Sequence, residues 1–265
     1  MKLDPVLLNM ACSWSMKAYN DSNKDTIKIE SKWTSTTVYI VKRKTVDVIA
    51  FRGTEQKLDI LTDINVIPLP YAGRLCHGGF TLAHKSVWKK VKEHIDPKKR
   101  TLITGHSLGG GLAELSAAML MREKKAKPNS GDYDNINLIT FGKPNVFFKG
   151  FKRPMTLDNQ ISCVQGSDVV ARIPRICYGP SSSQTMLYFG NNGVDFVNPD
   201  KLTRDEDRGG LKDRITDHMM AGYKDRLKSF LEQQEKEEKK VIPLTKEERV
   251  ELKRIEDEID FPSAS

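Results

Sequence analysis

Long apolar runs are missing from this 265-residue chain: none exceeds a handful of residues, far short of the ~20 that carry a helix across a bilayer. Cysteine is scarce. Cys12, Cys76, Cys163 and Cys177 show no C-x-x-C spacing, so neither zinc nor a disulfide framework is expected, and the thiols read as reduced. The N-terminus MKLDPVLLNMACSWSMKAYN, with one leading lysine and an early Asp-Pro, suits an amphipathic first helix better than a signal peptide, so a cytoplasmic location is expected. The composition, 38% hydrophobic with 12 prolines, excludes collagen-like, disulfide-scaffold and wholly disordered chains. No nucleic-acid recognition motif accompanies the positive charge, so nucleic acid is not an expected partner.

That charge is present but uneven. Of 43 Lys+Arg and 35 Asp+Glu, residues 231–265 hold 7 and 11, leaving 36 bases against 24 acids in residues 1–230. The contrast predicts a basic body over 1–230 and an acidic tail over 231–265. In the tail, Thr245 and Glu248 have capping-box spacing ahead of a charged helix, whose partner the sequence does not name. Basic stretches at 89–100, 122–127 and 149–153 read as solvated faces or as a contact for anionic membrane surfaces.

The patterning predicts helices over 6–19, 81–95, 108–125 and 215–230. It predicts strands over 36–42, 46–51, 101–105, 136–142 and 161–165, and a hairpin from 185–190 and 194–198. Residues 55–75 read as loop, apart from the amphipathic piece KLDILTDI (57–64). Strands alternating with helices imply an α/β fold with a mainly parallel sheet.

The informative segment is Gly105-His106-Ser107-Leu108-Gly109, a G-x-S-x-G between a β-branched strand and an Ala/Leu-rich helix. A serine on so sharp a turn is pushed out at the carboxyl edge of the sheet, and both glycines make room for the adjoining backbone. Serine alone is a weak nucleophile and requires a base. Of five histidines only His218 follows Ser107, so in the order Ser, acid, His the base is His218 by elimination. Asp168, in the loop after strand 161–165, is the best-placed acid. Asp195 sits within a hairpin strand, Asp158 at the wrong strand end, and Asp217 suits a helix cap. Oxyanion donors are expected from the amide of Leu108 and from Thr54, at the end of the strand VDVIAF.

These residues resemble the class 3, or fungal-type, lipases of the α/β-hydrolase superfamily. The shared pieces are Phe51-Arg-Gly-Thr54, Asp59–Asp63, His77-Gly-Gly-Phe80, Gly105–Gly110, Thr140-Phe-Gly-Lys-Pro144, Asp168–Pro174 and Asp217-His218, in the family's order over about residues 1–230. The resemblance implies an α/β-hydrolase fold, Ser107 as nucleophile, Asp168 as acid, His218 as base and Thr54 with Leu108 as oxyanion donors, with no metal or cofactor. It implies hydrolysis of lipid esters, tri- or diacylglycerol by default. Phospholipase A1-type or small-ester activity is the alternative, and a non-catalytic interaction protein a third reading. Residues 57–64 fit either a short lid or a buried turn. Gln165-Gly-Ser departs from the Thr-His common in relatives, and the charged tail has no counterpart.

Overall fold

A computed structural model of the chain describes residues 3–20, 25–54, 67–149, 159–166, 168–174, 178–179, 185–191, 193–200, 203–204, 207 and 218–241. The strands in chain order are β1 (Ile27–Ser31), β2 (Thr36–Val41), β3 (Asp47–Phe51), β4 (Pro68–Tyr71), β5 (Arg74–His77), β6 (Thr101–His106), β7 (Ile136–Phe141), β8 (Phe147–Phe148), β9 (Asn159–Gln165), β10 (Tyr178–Gly179), β11 (Thr185–Phe189) and β12 (Asp195–Val197). Eight of them make the main sheet, in the order β1-β2-β3-β6-β7-β9-β11-β12. From β3 to β11 neighbouring strands are parallel, while β1, β2 and β12 run antiparallel to their neighbours.

Every position of β2, β3, β6 and β7 is buried, as expected of central strands covered on both faces. Helices α2 (Gly78–Glu93) and α3 (Leu108–Ala126) close one face, over Phe51, Phe80, Trp88, Ile103 and Leu112. Helices α1 (Pro5–Lys17) and α4 (Met220–Val241) close the other, over Tyr39, Leu102, Phe141 and Phe189. This is the α/β architecture that the alternation of elements predicts. Among the described residues no helix is long and apolar enough to cross a membrane.

Three elements differ from the sequence reading. The 55–75 stretch, read as loop, ends in β4 and part of β5, joined through Ala72 and Gly73 at φ 50° and 75°, the doubly positive turn that suits a two-residue hairpin. Pro68 and Pro70 disguise β4, which tolerates them because it is the edge of a second sheet ordered β10-β8-β5-β4. Strand β1, also unanticipated, pairs along its length with β2. Helix α4 runs to Val241, through the boundary drawn at 231, because its Glu/Gln/Lys run holds no helix breaker before Pro243. Residues 57–64, the tail helix and Cys177 lie outside the described residues. Cys12, Cys76 and Cys163 are buried thiols, and burial pushes Cys12 and Cys76 up to about 12.

The parallel strands give the molecule two unlike ends. Phe51, His106, Phe141 and Gln165 finish their strands at the carboxyl edge. At the amino edge the basic runs 89–100 and 122–127 converge: Lys92 pairs with Glu123 at 2.7 Å, Lys98 with Asp132 at 2.9 Å, and the Tyr133 amide donates to the Pro97 carbonyl at 2.7 Å. Asp47 at the start of β3 holds Lys42 and Lys99, each at 2.7 Å. The 19 residues of α3 separate this edge from Ser107 by about 28 Å at 1.5 Å per residue. Most of the basic stretch 149–153 lies outside the described residues.

Candidate active site

Ser107 occupies the junction of β6 and α3 at φ 55°, ψ −129°. A side chain on either flanking glycine would defeat this turn: a Cβ on Gly105 would lie 2.4 Å from the Gly109 carbonyl carbon, and one on Gly109 would lie 2.2 Å from the Phe51 carbonyl oxygen. The backbone therefore passes where only glycine fits. Ser107 stands at the N-cap position, yet its hydroxyl makes no capping hydrogen bond. It lies instead 2.8 Å from His218 Nε2.

His218 and Asp168 complete the line. Nδ1 of His218 is 3.0 Å from each Asp168 carboxylate oxygen. Asp168 is fully buried, and its charge is met by the amides of Val170 at 2.8 Å and Ala171 at 3.4 Å, besides the Tyr223 hydroxyl at 2.6 Å. Such donors offset the cost of burying a carboxylate and fix its plane toward the imidazole. Gly142 sits behind this contact at φ 53°, where a Cβ would come within 2.6 Å of Asp168 Oδ2. Asp195 is bound to Arg226 on α4, not to His218. Asp158 and Asp217 lie outside the described residues.

Thr54 and Leu108 line one cavity of about 850 Å³, on the β3 side of Ser107, while His218 stands on the β7–β9 side. The Leu108 amide belongs to the first turn of α3, where Gly110 and Gly111 already close on the Ser107 carbonyl, so a helix start leaves it without an intrahelical acceptor. The cavity lining mixes the apolar Phe80, Leu82 and Trp33 with the polar Thr34 to Thr37 and the charged Glu30, Lys32 and Arg52. Trp33, on the β1–β2 turn, is 76% exposed. No periodic pattern marked it, because a turn residue belongs to no face of an element.

His106 is the second residue whose place the motif did not show. Its ring stacks on that of His218, centroids 4.7 Å apart, and burial pushes its pKa down to about 3, with His218 adding to the effect. Tyr223 is the third, a buried hydroxyl five residues after the histidine. Among the described residues no group of three His, Cys, Asp or Glu side chains is arranged to hold a metal ion.

A Ser–His–Asp array on a strand–turn–helix elbow, at the carboxyl edge of a mainly parallel sheet, defines an α/β-hydrolase. Residues 48–178, just under half of the chain, match the sequence model of the family described as lipase (class 3). A secreted mono- and diacylglycerol lipase of Fusarium solani is 32% identical over 117 residues, 41% of this chain and 32% of that protein. A lipase of Rhizomucor miehei is 28% identical over 183 residues, 65% of this chain and 46% of that protein. The chain thus spans less than half the length of these curated relatives. The crystal structure of a lipase from Rhizopus microsporus var. chinensis shares the fold, with a TM-score of 0.61 and 20% identity over 80% of this chain and 83% of that one.

Proposed function

We propose that this chain is a serine carboxylester hydrolase that cleaves lipid esters, acylglycerols foremost, through an acyl-enzyme. The observation that carries the proposal is the unbroken line from Ser107 Oγ through His218, at 2.8 Å and 3.0 Å, to a buried Asp168. His218 Nε2 takes the hydroxyl proton as Ser107 Oγ attacks the ester carbonyl. Asp168 holds the imidazole with Nδ1–H toward itself and stabilises the imidazolium that forms. The Leu108 and Thr54 amides receive the tetrahedral oxyanion, a contribution worth about 10²–10³ in rate per donor in comparable sites. His218 then returns the proton to the departing alcohol. Water, deprotonated by the same histidine, attacks the acyl-enzyme, and Ser107 leaves with its proton restored.

The substrate class rests on the family model matched by residues 48–178, on relatives named as lipases, and on a cavity beside Thr54 and Leu108 whose lining includes the apolar Trp33, Phe80 and Leu82. Labelling with a fluorophosphonate probe tests the chemistry: the folded protein labels and the Ser107→Ala variant does not. Equal labelling of the two, or none of either, refutes it. Rates on triacylglycerol and diacylglycerol emulsions, phosphatidylcholine vesicles and a short soluble ester then rank the substrates. Faster turnover of phospholipid would move the assignment to a phospholipase A1-type activity.

A further inference from the structure

We infer that Tyr19 and His106 form a positioning pair that holds the backbone and ring of His218 in the reactive pose and ties them to the oxyanion strand. The inference rests on the serine-hydrolase reading above. It starts from the histidine inside the elbow, whose side chain the proposed reaction does not use. His106 ends β6, is 5% exposed, and has each ring nitrogen within hydrogen-bond distance of a partner. Nε2 lies 2.7 Å from the backbone carbonyl of His218. A carbonyl only accepts, so Nε2 carries the proton, and in the neutral ring Nδ1 is left as the acceptor. The Tyr19 hydroxyl, 2.7 Å from Nδ1, donates to it.

The His218 carbonyl is available for this bond because the first turn of α4 closes on Met219, which accepts from the Gly222 and Tyr223 amides. The catalytic histidine thus stands just outside the helix, and the N–H of His106 supplies the tether there. Stacking at an interplanar angle of 30° sets the tilt of its ring. Neutrality of His106 matters as well, since a second cation stacked on the imidazolium that forms on His218 would oppose the reaction.

Tyr19 extends the link to the other half of the site. A Cβ on Gly53 would lie 2.0 Å from the Tyr19 hydroxyl oxygen and 2.6 Å from the His106 carbonyl oxygen. The strand end that presents Thr54 therefore packs bare backbone against this pair. One hydroxyl at the end of the N-terminal helix touches the element carrying the oxyanion donor and the histidine that holds the base. Tyr19 and His218 both lie outside the segment 48–178 that matches the family.

The test measures kcat and KM on a short soluble ester, and fluorophosphonate labelling rates, for wild type, His106→Leu, His106→Gln and Tyr19→Phe. The Gln amide can reach the His218 carbonyl; Leu cannot. The expected result is a kcat for His106→Leu lower by about 10- to 100-fold with KM within twofold, as misplacement of a reacting group costs rate more than binding. His106→Gln recovers most of that loss, and Tyr19→Phe lowers kcat by about 3- to 10-fold. If the Leu variant does not fold, Tyr19→Phe decides. Folded variants that keep wild-type kcat and labelling rate, or a Gln variant as slow as Leu, overturn the inference. Wild type that fails to label overturns the serine-hydrolase reading instead, so the two failures are distinguishable.

Discussion

Tyr223 donates its hydroxyl hydrogen to Asp168 Oδ2 across 2.6 Å, with both side chains fully buried. The Gln165 amide donates to the same hydroxyl oxygen at 3.0 Å, which leaves the phenolic hydrogen to the carboxylate. Burial, with the Asp168 charge and hydrogen bond added, pushes the Tyr223 pKa well up, so it remains a donor at any working pH. The turn that follows the candidate base thus reaches back to hold its acid. Tyr223→Phe is expected to lower kcat/KM on a short ester about tenfold, the scale of losing an outer partner of a functional group. Stability should fall by about 1–3 kcal/mol as the Gln165 amide loses its acceptor. A urea midpoint that drops with kcat/KM unchanged would assign Tyr223 to the fold alone.

The elbow was legible because its chemistry is local: strand, glycine, serine, glycine and helix are consecutive, and the turn needs nothing from elsewhere. His218 was legible by counting, being the last histidine, and Asp168 by its strand-end position. Tyr223, Tyr19 and the stacking of His106 were not, because each acts across 55 to 112 residues of chain and carries no local pattern. In the fold, the central strands announced themselves through short runs rich in Val, Ile, Thr and aromatic residues. Strand β4 did not, since Pro68 and Pro70 are admissible there only at an edge, and edge position is a fact of tertiary pairing.

Lys143 and Glu114 form an ion pair at 3.0 Å with side chains 3% and 1% exposed. The pair fastens the segment after β7 onto α3. Two residues on, Asn145 donates its amide to the Ile173 carbonyl at 2.8 Å and its side chain to that of Pro174 at 3.3 Å, on the loop that follows Asp168. Removing one partner strands the other in the interior. Glu114→Ala is therefore expected to cost about 3–5 kcal/mol, whereas Glu114→Leu combined with Lys143→Met should recover most of it. Urea unfolding of the single and double variants checks this. A double variant as unstable as the single one would show that the charges do more than compensate each other.

Acid should weaken the fold before it protonates most carboxylates. Burial pushes His77, His84 and His106 down to about 4, 3 and 3. An unfolded histidine titrates near 6.5, so between these values the unfolded chain binds protons that the native one refuses. Their contribution is complete above pH 6.5 and is lost as pH falls toward 4. With three such groups the slope approaches about 4 kcal/mol per pH unit. Urea midpoints at pH 7.5, 6.0 and 5.0 should decline in that order, most steeply over the last interval. A flat series would mean that these rings accept protons without unfolding.

The amino-edge cations bear on how a lipid surface would be met. Lys89, Lys125 and Lys127 are exposed at the ends of α2 and α3, the end remote from Ser107. A bilayer drawn to that edge would sit about 28 Å along α3 from the nucleophile. At the catalytic end stand Trp33 and Leu82, both exposed and apolar, which favour a lipid by burial more than by charge. Reversing the three lysines (Lys89→Glu, Lys125→Glu, Lys127→Glu) is therefore expected to leave unchanged the ratio of hydrolysis rates on anionic and zwitterionic vesicles. Trp33→Ser should lower the rate on both vesicle types several-fold while sparing a soluble short ester. A ratio that collapses on charge reversal would show that the basic edge, against its position in the fold, is what brings the protein to a lipid surface.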